Sequence, residues 1–229
     1  MKRLVQPELL DSLPPEDPGA IGSRRDLCRI NWWMGNHRLM RRALRDHLPG
    51  QSPGPLMEIG AGDGNFFLNV ARGFSPPWPN PKVILLDRQK SIMPKVIEDF
   101  SASGWQAEPI VADVFACPPM AEPVAAIVAN LFLHHFEEDA LARLLGIISR
   151  QTNLFIAVEP WRFARPALCG HLLRVIGCNA VTLHDAVVSI RAGFQNGEIS
   201  ALWPDKTRWH LIERRAGFFS YLFIARRIQ

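Results

Sequence analysis

The sequence is poor in cysteine and has no long apolar run. Its four cysteines, Cys28, Cys117, Cys169 and Cys178, form no C-x-x-C pair and have no clustered histidine partner. Free buried thiols in a reducing compartment are expected, and a structural zinc site is not. No hydrophobic stretch approaches the roughly 18 residues that a membrane-spanning helix needs. Residues 1–26 are polar and carry prolines, without the apolar core of a secretory signal. A cytoplasmic protein with no membrane span is the expectation. Internal repeats and low-complexity segments are also missing.

What is present fits one large domain, or one domain with a helical extension: 229 residues, 48% hydrophobic and 21% charged. The formal net charge is +4. Arg24, Arg25, Arg29, Arg38, Arg41, Arg42 and Arg45 crowd one N-terminal segment. Contact with nucleic acid is one reading. A solvated helix face beside Asp26 and Asp46 is the favoured one, because the net charge is modest and no RNA-binding or zinc-finger signature accompanies the arginines. Nucleic acid is not an expected partner.

Along the chain, residues 1–23 read as an irregular lead-in punctuated by Pro14, Pro15, Pro18, Gly19 and Gly22. A helical pattern runs from Arg24 to Leu48, with Gly35 as a possible break. Strands are predicted at 56–59, 83–86, 108–112, 124–129 and 154–158. Helices are predicted after the first glycine cluster, over 91–103 and over 137–149. This alternation implies a parallel sheet with helices on both faces. Polar residues close successive strands: Glu58, Asp87, Asp113, Asn130 and Glu159. Open parallel sheets bind ligands at that edge. Beyond strand five, 165–176 and 181–192 read as helices, and 209–214 with 218–226 read as an antiparallel hairpin.

The most informative stretch is Leu56-Met57-Glu58-Ile59-Gly60-Ala61-Gly62-Asp63-Gly64-Asn65-Phe66. An apolar strand runs into glycines at every second position and then a helix, which brings bare backbone against a ligand. The spacing is G-x-G-x-G, not the G-x-G-x-x-G of nicotinamide or flavin sites. With Glu58 before it, the run resembles motif I of class I methyltransferases that use S-adenosylmethionine (SAM). The resemblance covers residues 50–160 well and the C-terminal hairpin more loosely. It implies a Rossmann-like doubly wound sheet of seven strands, mostly parallel, with a C-terminal antiparallel hairpin and helices on both faces. It also implies an N-terminal extension and lid helix over 1–50, a methyltransferase domain over 51–229, and substrate-roof helices at about 161–195.

The same resemblance implies the cofactor roles. Gly60, Ala61, Gly62 and Gly64 form the backbone cradle, and Glu58 supplies negative charge near the ammonium of SAM. Asp87 accepts from the ribose hydroxyls, with Arg88 beside it. Asp113 and the Val114 N–H meet the adenine, and Phe115 covers its face. Asn130 and Leu131 lie near the sulfonium or the amino acid end. The cofactor is SAM and the product S-adenosylhomocysteine (SAH).

The chemistry requires a nucleophile in line with the S–CH3 bond and often a base. Leu133-His134-His135-Phe136, after strand four, resembles the Leu-His-His-Phe stretch of small-molecule methyltransferases, and not the Asn-Pro-Pro-Tyr stretch of amino-nitrogen methylation. His134 and His135 are candidate bases; His184, followed by Asp185 on a helix, is another and is placed slightly ahead of them. Neighbours on a helix usually diverge, so Glu159 is an alternative orienting carboxylate. Arg191 is a candidate partner for a substrate anion, and Trp33 and Trp161 for walls of the substrate site. Asn130 is followed by Leu131, not by the second member of a metal-binding Asp-Asn pair, so no metal is expected. The expected activity is methyl transfer to a small molecule, foremost a phenol or hydroxyl of a natural-product-like aromatic or polyketide, by a monomer or homodimer. Methylation of ring carbon, of RNA or of protein, and a non-catalytic SAM-binding module, are the alternatives.

Overall fold

The computed structural model describes residues 2–14, 16–48, 54–74, 79–118, 120, 124–164 and 173–228. Seven strands form one sheet: β1 (Leu56–Ile59), β2 (Lys82–Asp87), β3 (Gln106–Val111), β4 (Ala126–Asn130), β5 (Leu154–Pro160), β6 (Trp209–Ala216) and β7 (Ser220–Arg227). Their order is β3-β2-β1-β4-β5-β7-β6. The first five are parallel; β7 inserts antiparallel between β5 and β6. β1, β4 and β5 are buried along their whole length, which is why each reads as an unbroken apolar run. β3 lies at the sheet edge, where Pro109 withholds no essential ladder bond.

Helices cover both faces. On one, α3 (Asn36–His47), α4 (Asn65–Ala71) and α5 (Pro94–Ala102) press Met40, Leu44, Phe67 and Phe100 onto Leu56, Val83, Leu85 and Val128. On the other, α6 (Glu138–Gln151) presents Leu141, Leu144, Leu145 and Ile148, spaced as one helical stripe, to Met57, Ile127 and Phe155. Each such leucine contributes roughly 1.5–3 kcal/mol of burial.

The chain ahead of the sheet departs from the irregular lead-in expected over 1–23. Residues 9–12 form a short helix, α1 (Leu9–Ser12), and α2 spans Pro18–Met34. Asp17 caps α2, its carboxylate accepting from the Gly19 and Ala20 N–H groups at 2.7 and 3.2 Å. Pro18 sits where a helix needs no N–H, so it starts the helix instead of breaking it. Gly22 is a packing residue: a Cβ there would lie 2.7 Å from Asn179. Gly35, at φ 70°, separates α2 from α3. Val124 only bridges to Thr152, so β4 starts later than predicted. The helix predicted over 165–176 lies mostly outside the described residues, as does Cys169. The following helix, α7 (Ala180–Ala192), is capped by Asn179, which accepts from the Thr182 N–H at 2.8 Å. The hairpin turns at Gly217, φ 79°. Among the described residues no helix is long and apolar enough to cross a membrane.

Candidate functional site

The sheet order reverses between β1 and β4, and a crevice opens there at the carboxyl ends of the strands. It holds a cavity of about 390 Å³. The turn after β1 forms its floor. Gly60, Gly62 and Gly64 all have positive φ, at 68°, 56° and 78°. A Cβ on Gly60 would lie 2.2 Å from the Phe132 ring, so that ring can pack against the turn only because the side chain is missing. Gly62 faces open space within the cavity. Its N–H donates to Asp87 Oδ2 at 2.7 Å, while Asp87 Oδ1 accepts from the Gln89 N–H at 2.8 Å. Asp87 therefore sets the turn while still offering lone pairs to the cavity it lines.

Glu58 lies beneath this turn, 1% exposed. Its Oε2 has no hydrogen-bond partner among the described residues. Burial, with Asp63 and Asp87 nearby, lifts its carboxyl well above the usual carboxylate range. A buried acid with an orphaned oxygen, facing a cavity and backed by two more carboxylates, is a seat for a cation. That suits the ammonium end of SAM, and the open side of Gly62 admits close approach of a ligand. The residues present fit the cofactor.

The adenine-side candidates border the same cavity. Asp113 turns the chain after β3, its Oδ1 accepting from the Phe115 N–H at 2.7 Å, and Val114 and Phe115 follow it along the wall. Phe115 meets Phe136 edge to face, with ring centroids 5.5 Å apart. Ala61, Asn130 and Leu131 also line the space. Leu131 holds φ 51°, an unusual backbone for a branched residue, and its N–H donates to the Val158 carbonyl at 2.9 Å. Asn130 Nδ2 donates to Asn31 Oδ1 at 3.0 Å, and Asn36 Nδ2 donates to Asn130 Oδ1 at 3.1 Å. Ser220 donates to Asn36 at 2.6 Å, so a buried amide network ties α2 and α3 to β4 and β7.

The opposite wall carries ionisable chemistry. His134 and His135 occupy a short 3-10 turn, Leu133–His135, after β4. His134 is buried, with Nδ1 2.8 Å from Glu159 Oε2 and Nε2 3.2 Å from Glu8 Oε1. Glu159 is itself fixed, since its Oε1 accepts from the Phe132 and Leu133 N–H groups at 3.0 and 2.8 Å. Burial opposes charge on His134, but the hydrogen bonds to Glu159 and Glu8 outweigh it and push the imidazole up to about 9. Glu8 moves the other way: its burial is outweighed chiefly by His134, and its carboxyl falls below the usual range. Ser189, from α7, also donates to Glu8. His135 Nδ1 lies 3.3 Å from Asp11, and Asp11 pairs with Arg88 at 3.2 Å. Glu8, His134 and His135 bring one potential metal-donor atom each within 4.8 Å of one another.

Glu8 and Asp11 were missed by sequence reasoning. They stand in the segment read as irregular, and Glu8 meets a histidine 126 residues away. The segment is pinned across the cavity mouth. Arg3 donates to the Ala192, His134 and Phe136 carbonyls at 2.8, 3.2 and 2.8 Å. Asp185 accepts from the Leu9 and Leu10 N–H groups at 2.8 and 3.0 Å. No local signal marks Glu8; the Asp17-Pro18 pair was a signal for the helix behind it that the reading of 1–23 as irregular passed over.

Other candidates sit elsewhere. His184 does not line the cavity. Its half-exposed ring touches Asp185 at 3.0 Å despite their adjacency on α7, and the Asp185 carboxylate also serves the N-terminal segment. Arg191 is exposed in the last turn of α7. Trp33 is 64% exposed, while its neighbour Trp32 borders the cavity. Trp161 stacks under Arg215, whose guanidinium carbon is 3.7 Å from the ring centroid. Gly64 is a packing and turn residue, with Val96 and Leu85 3.3 and 3.4 Å from where a Cβ would stand.

Residues 56–153 match a family described as a methyltransferase domain. No curated protein matches this chain in sequence. Solved structures share its fold. The plantazolicin methyltransferase BpumL in complex with SAH superposes with a TM-score of 0.64 at 11% identity, over 93% of this chain and 92% of that one. Magnesium protoporphyrin IX methyltransferase (ChlM) from Synechocystis PCC 6803, with bound SAH, gives 0.55 at 11% identity, over 85% and 83%. The pyocyanin biosynthetic protein PhzM gives 0.54 at 14% identity, over 82% and 54%. The domain match over β1 to α6, the reversed sheet order and the glycine turn above a buried acid identify residues 56–153 as a methyltransferase domain within a Rossmann-like methyltransferase fold.

Proposed function

We propose that this protein transfers the methyl group of SAM to a hydroxyl oxygen of a small aromatic or polyketide-like molecule, with His134 as proton acceptor and Glu159 as its orienting carboxylate. The observation that carries this reading is that one cavity joins the cation seat at Glu58 to the His134–Glu159 pair. Bound SAM supplies an electrophilic methyl on a cationic sulfur. The chain's own residues do the rest. Glu58 and the Gly60–Gly62 turn grip the amino acid end, and Asp87 grips the ribose. Phe66, Phe115, Phe132, Phe136 and Trp32 give the cavity flat apolar walls that suit a ring. Glu159, held by two backbone N–H groups, fixes Nδ1 of His134 as the protonated nitrogen and directs Nε2 as the acceptor. The plantazolicin enzyme, of the same fold, has also been solved with a desmethyl plantazolicin analogue and SAH, which supports a small-molecule acceptor.

The test is isotope-labelled methyl transfer from SAM to a broad panel of phenols and hydroxylated polyketides, with RNA and protein extracts in parallel, read by mass spectrometry. Label on a phenolic oxygen supports the reading. Label confined to RNA or protein overturns it.

A further inference from the structure

We propose that Glu8 is a displaceable stopper on His134: its carboxylate occupies the Nε2 side that an acceptor hydroxyl must reach, and the acceptor takes that place when the N-terminal segment shifts. This rests on the reading of His134 as proton acceptor. An imidazole has two hydrogen-bonding nitrogens. Glu159 holds Nδ1 at 2.8 Å and Glu8 faces Nε2 at 3.2 Å, so no site is left for a substrate proton while Glu8 stays. Glu159 is locked on β5 by backbone N–H groups, whereas Glu8 is carried by a segment whose residues 2–8 belong to no helix or strand. Of the two carboxylates, Glu8 is the one able to leave.

The groups around the imidazole agree. Glu159 faces it from β5, Glu8 from the N-terminal segment, and the His135 ring from its own turn at 4.3 Å between centroids. Asp11 approaches from α1 through His135, Arg3 binds the His134 carbonyl, and Ser189 on α7 holds Glu8. Two close carboxylates keep the ring protonated, and a protonated ring is no base. When Glu8 withdraws, the Nε2 proton leaves with its carboxylate or to water. The neutral Nε2 then accepts the hydroxyl proton, the oxygen's electron pair forms the bond to the methyl carbon, and the S–CH3 bond breaks with its pair left on sulfur, so that SAH is the leaving group.

The experiment is a nitrogen-15 titration of the histidine rings in the full-length chain saturated with SAH, wild type against Glu8→Gln, combined with diethyl pyrocarbonate labelling, which attacks accessible neutral imidazole. The expected result is that Glu8→Gln lowers the His134 midpoint by about one unit or more, and that His134 becomes labelled at neutral pH where the wild type is protected. Ser189→Ala, which keeps Glu8 but loosens it, should shift the midpoint in the same direction by less. An unchanged midpoint with unchanged labelling in both variants overturns the proposal. So does stoichiometric zinc held by Glu8, His134 and His135 in the purified protein, since Nε2 would then be a ligand. If methyl transfer survives His134→Gln while the Glu8→Gln titration still shifts, it is the assignment of the base that fails and not the stopper.

Discussion

The cavity has two sides built on different plans. The proposed cofactor side is local: Glu58, Gly60, Gly62 and Asp87 stand on adjacent strand ends, and the hydrogen bond from the Gly62 N–H to Asp87 spans 25 residues. The acceptor side is assembled from afar. Glu8, His134, Glu159 and Ser189 come from four separate segments, and Ser189 reaches Glu8 across 181 residues. The first plan makes a rigid grip whose parts brace one another. The second makes an adjustable mouth, because one of its walls hangs on side-chain contacts to distant elements. A fixed chemical task, holding one cofactor, suits the first; an adaptable task, admitting an acceptor, suits the second.

Substitutions can break this division. The largest effect belongs to His134→Gln: turnover on an accepted phenol should fall about a hundredfold or more, while SAH affinity by calorimetry stays unchanged. Gly60→Ala strikes the other side. Its Cβ would meet the Phe132 ring at 2.2 Å, on a residue held at φ 68°, so overpacking should cost about 1–3 kcal/mol and lower both the melting temperature and SAH binding. Asp87→Ala removes an acceptor from the turn and the proposed acceptor for the ribose, and should weaken SAH binding roughly tenfold or more without changing the His134 titration.

A pH sweep sharpens the contrast. Against the opposing effect of burial, Glu159 first and Glu8 second raise His134 from 6.5 to about 9, so the stability these contacts contribute, including the tie to the N-terminal segment, is full below pH 6.5 and is lost as pH climbs through about 9. Limited proteolysis within residues 2–14 should accelerate over that window. The smallest effect is expected from His184→Ala, where turnover should change by less than about twofold, as for other surface substitutions.

This contrast also decides what was legible in the sequence. The strand ends, the glycine turn and the C-terminal hairpin could be read because each is a short-range pattern of period two, of glycine spacing or of a terminal acid. Gly35 was readable as a break for the same reason. The long N-terminal helix was hidden by Pro18 and Gly19, which look like loop formers until Asp17 is seen as a cap. The rank of His184 above His134 failed to anticipate the cavity: an adjacent His-Asp pair is visible in sequence, while a carboxylate 25 residues away in chain and 2.8 Å away in space is not. Glu159 was visible only as one more polar strand end. Nothing local to Glu8 or Asp11 distinguishes them from surface acids.

The buried acid beneath the glycine turn has a thermodynamic consequence. With its carboxyl lifted well above the ordinary range by burial and by Asp63 and Asp87, Glu58 keeps its hydrogen to higher pH than an ordinary carboxyl when no cation is beside it. An ammonium seated there favours the ionised form, so the proposed SAM or SAH contact is expected to release hydrogen into solution wherever the free site still holds it. Calorimetry in phosphate and in Tris will then give different apparent enthalpies for one affinity, offset by the buffers' heats of ionisation. Glu58→Gln will erase the difference.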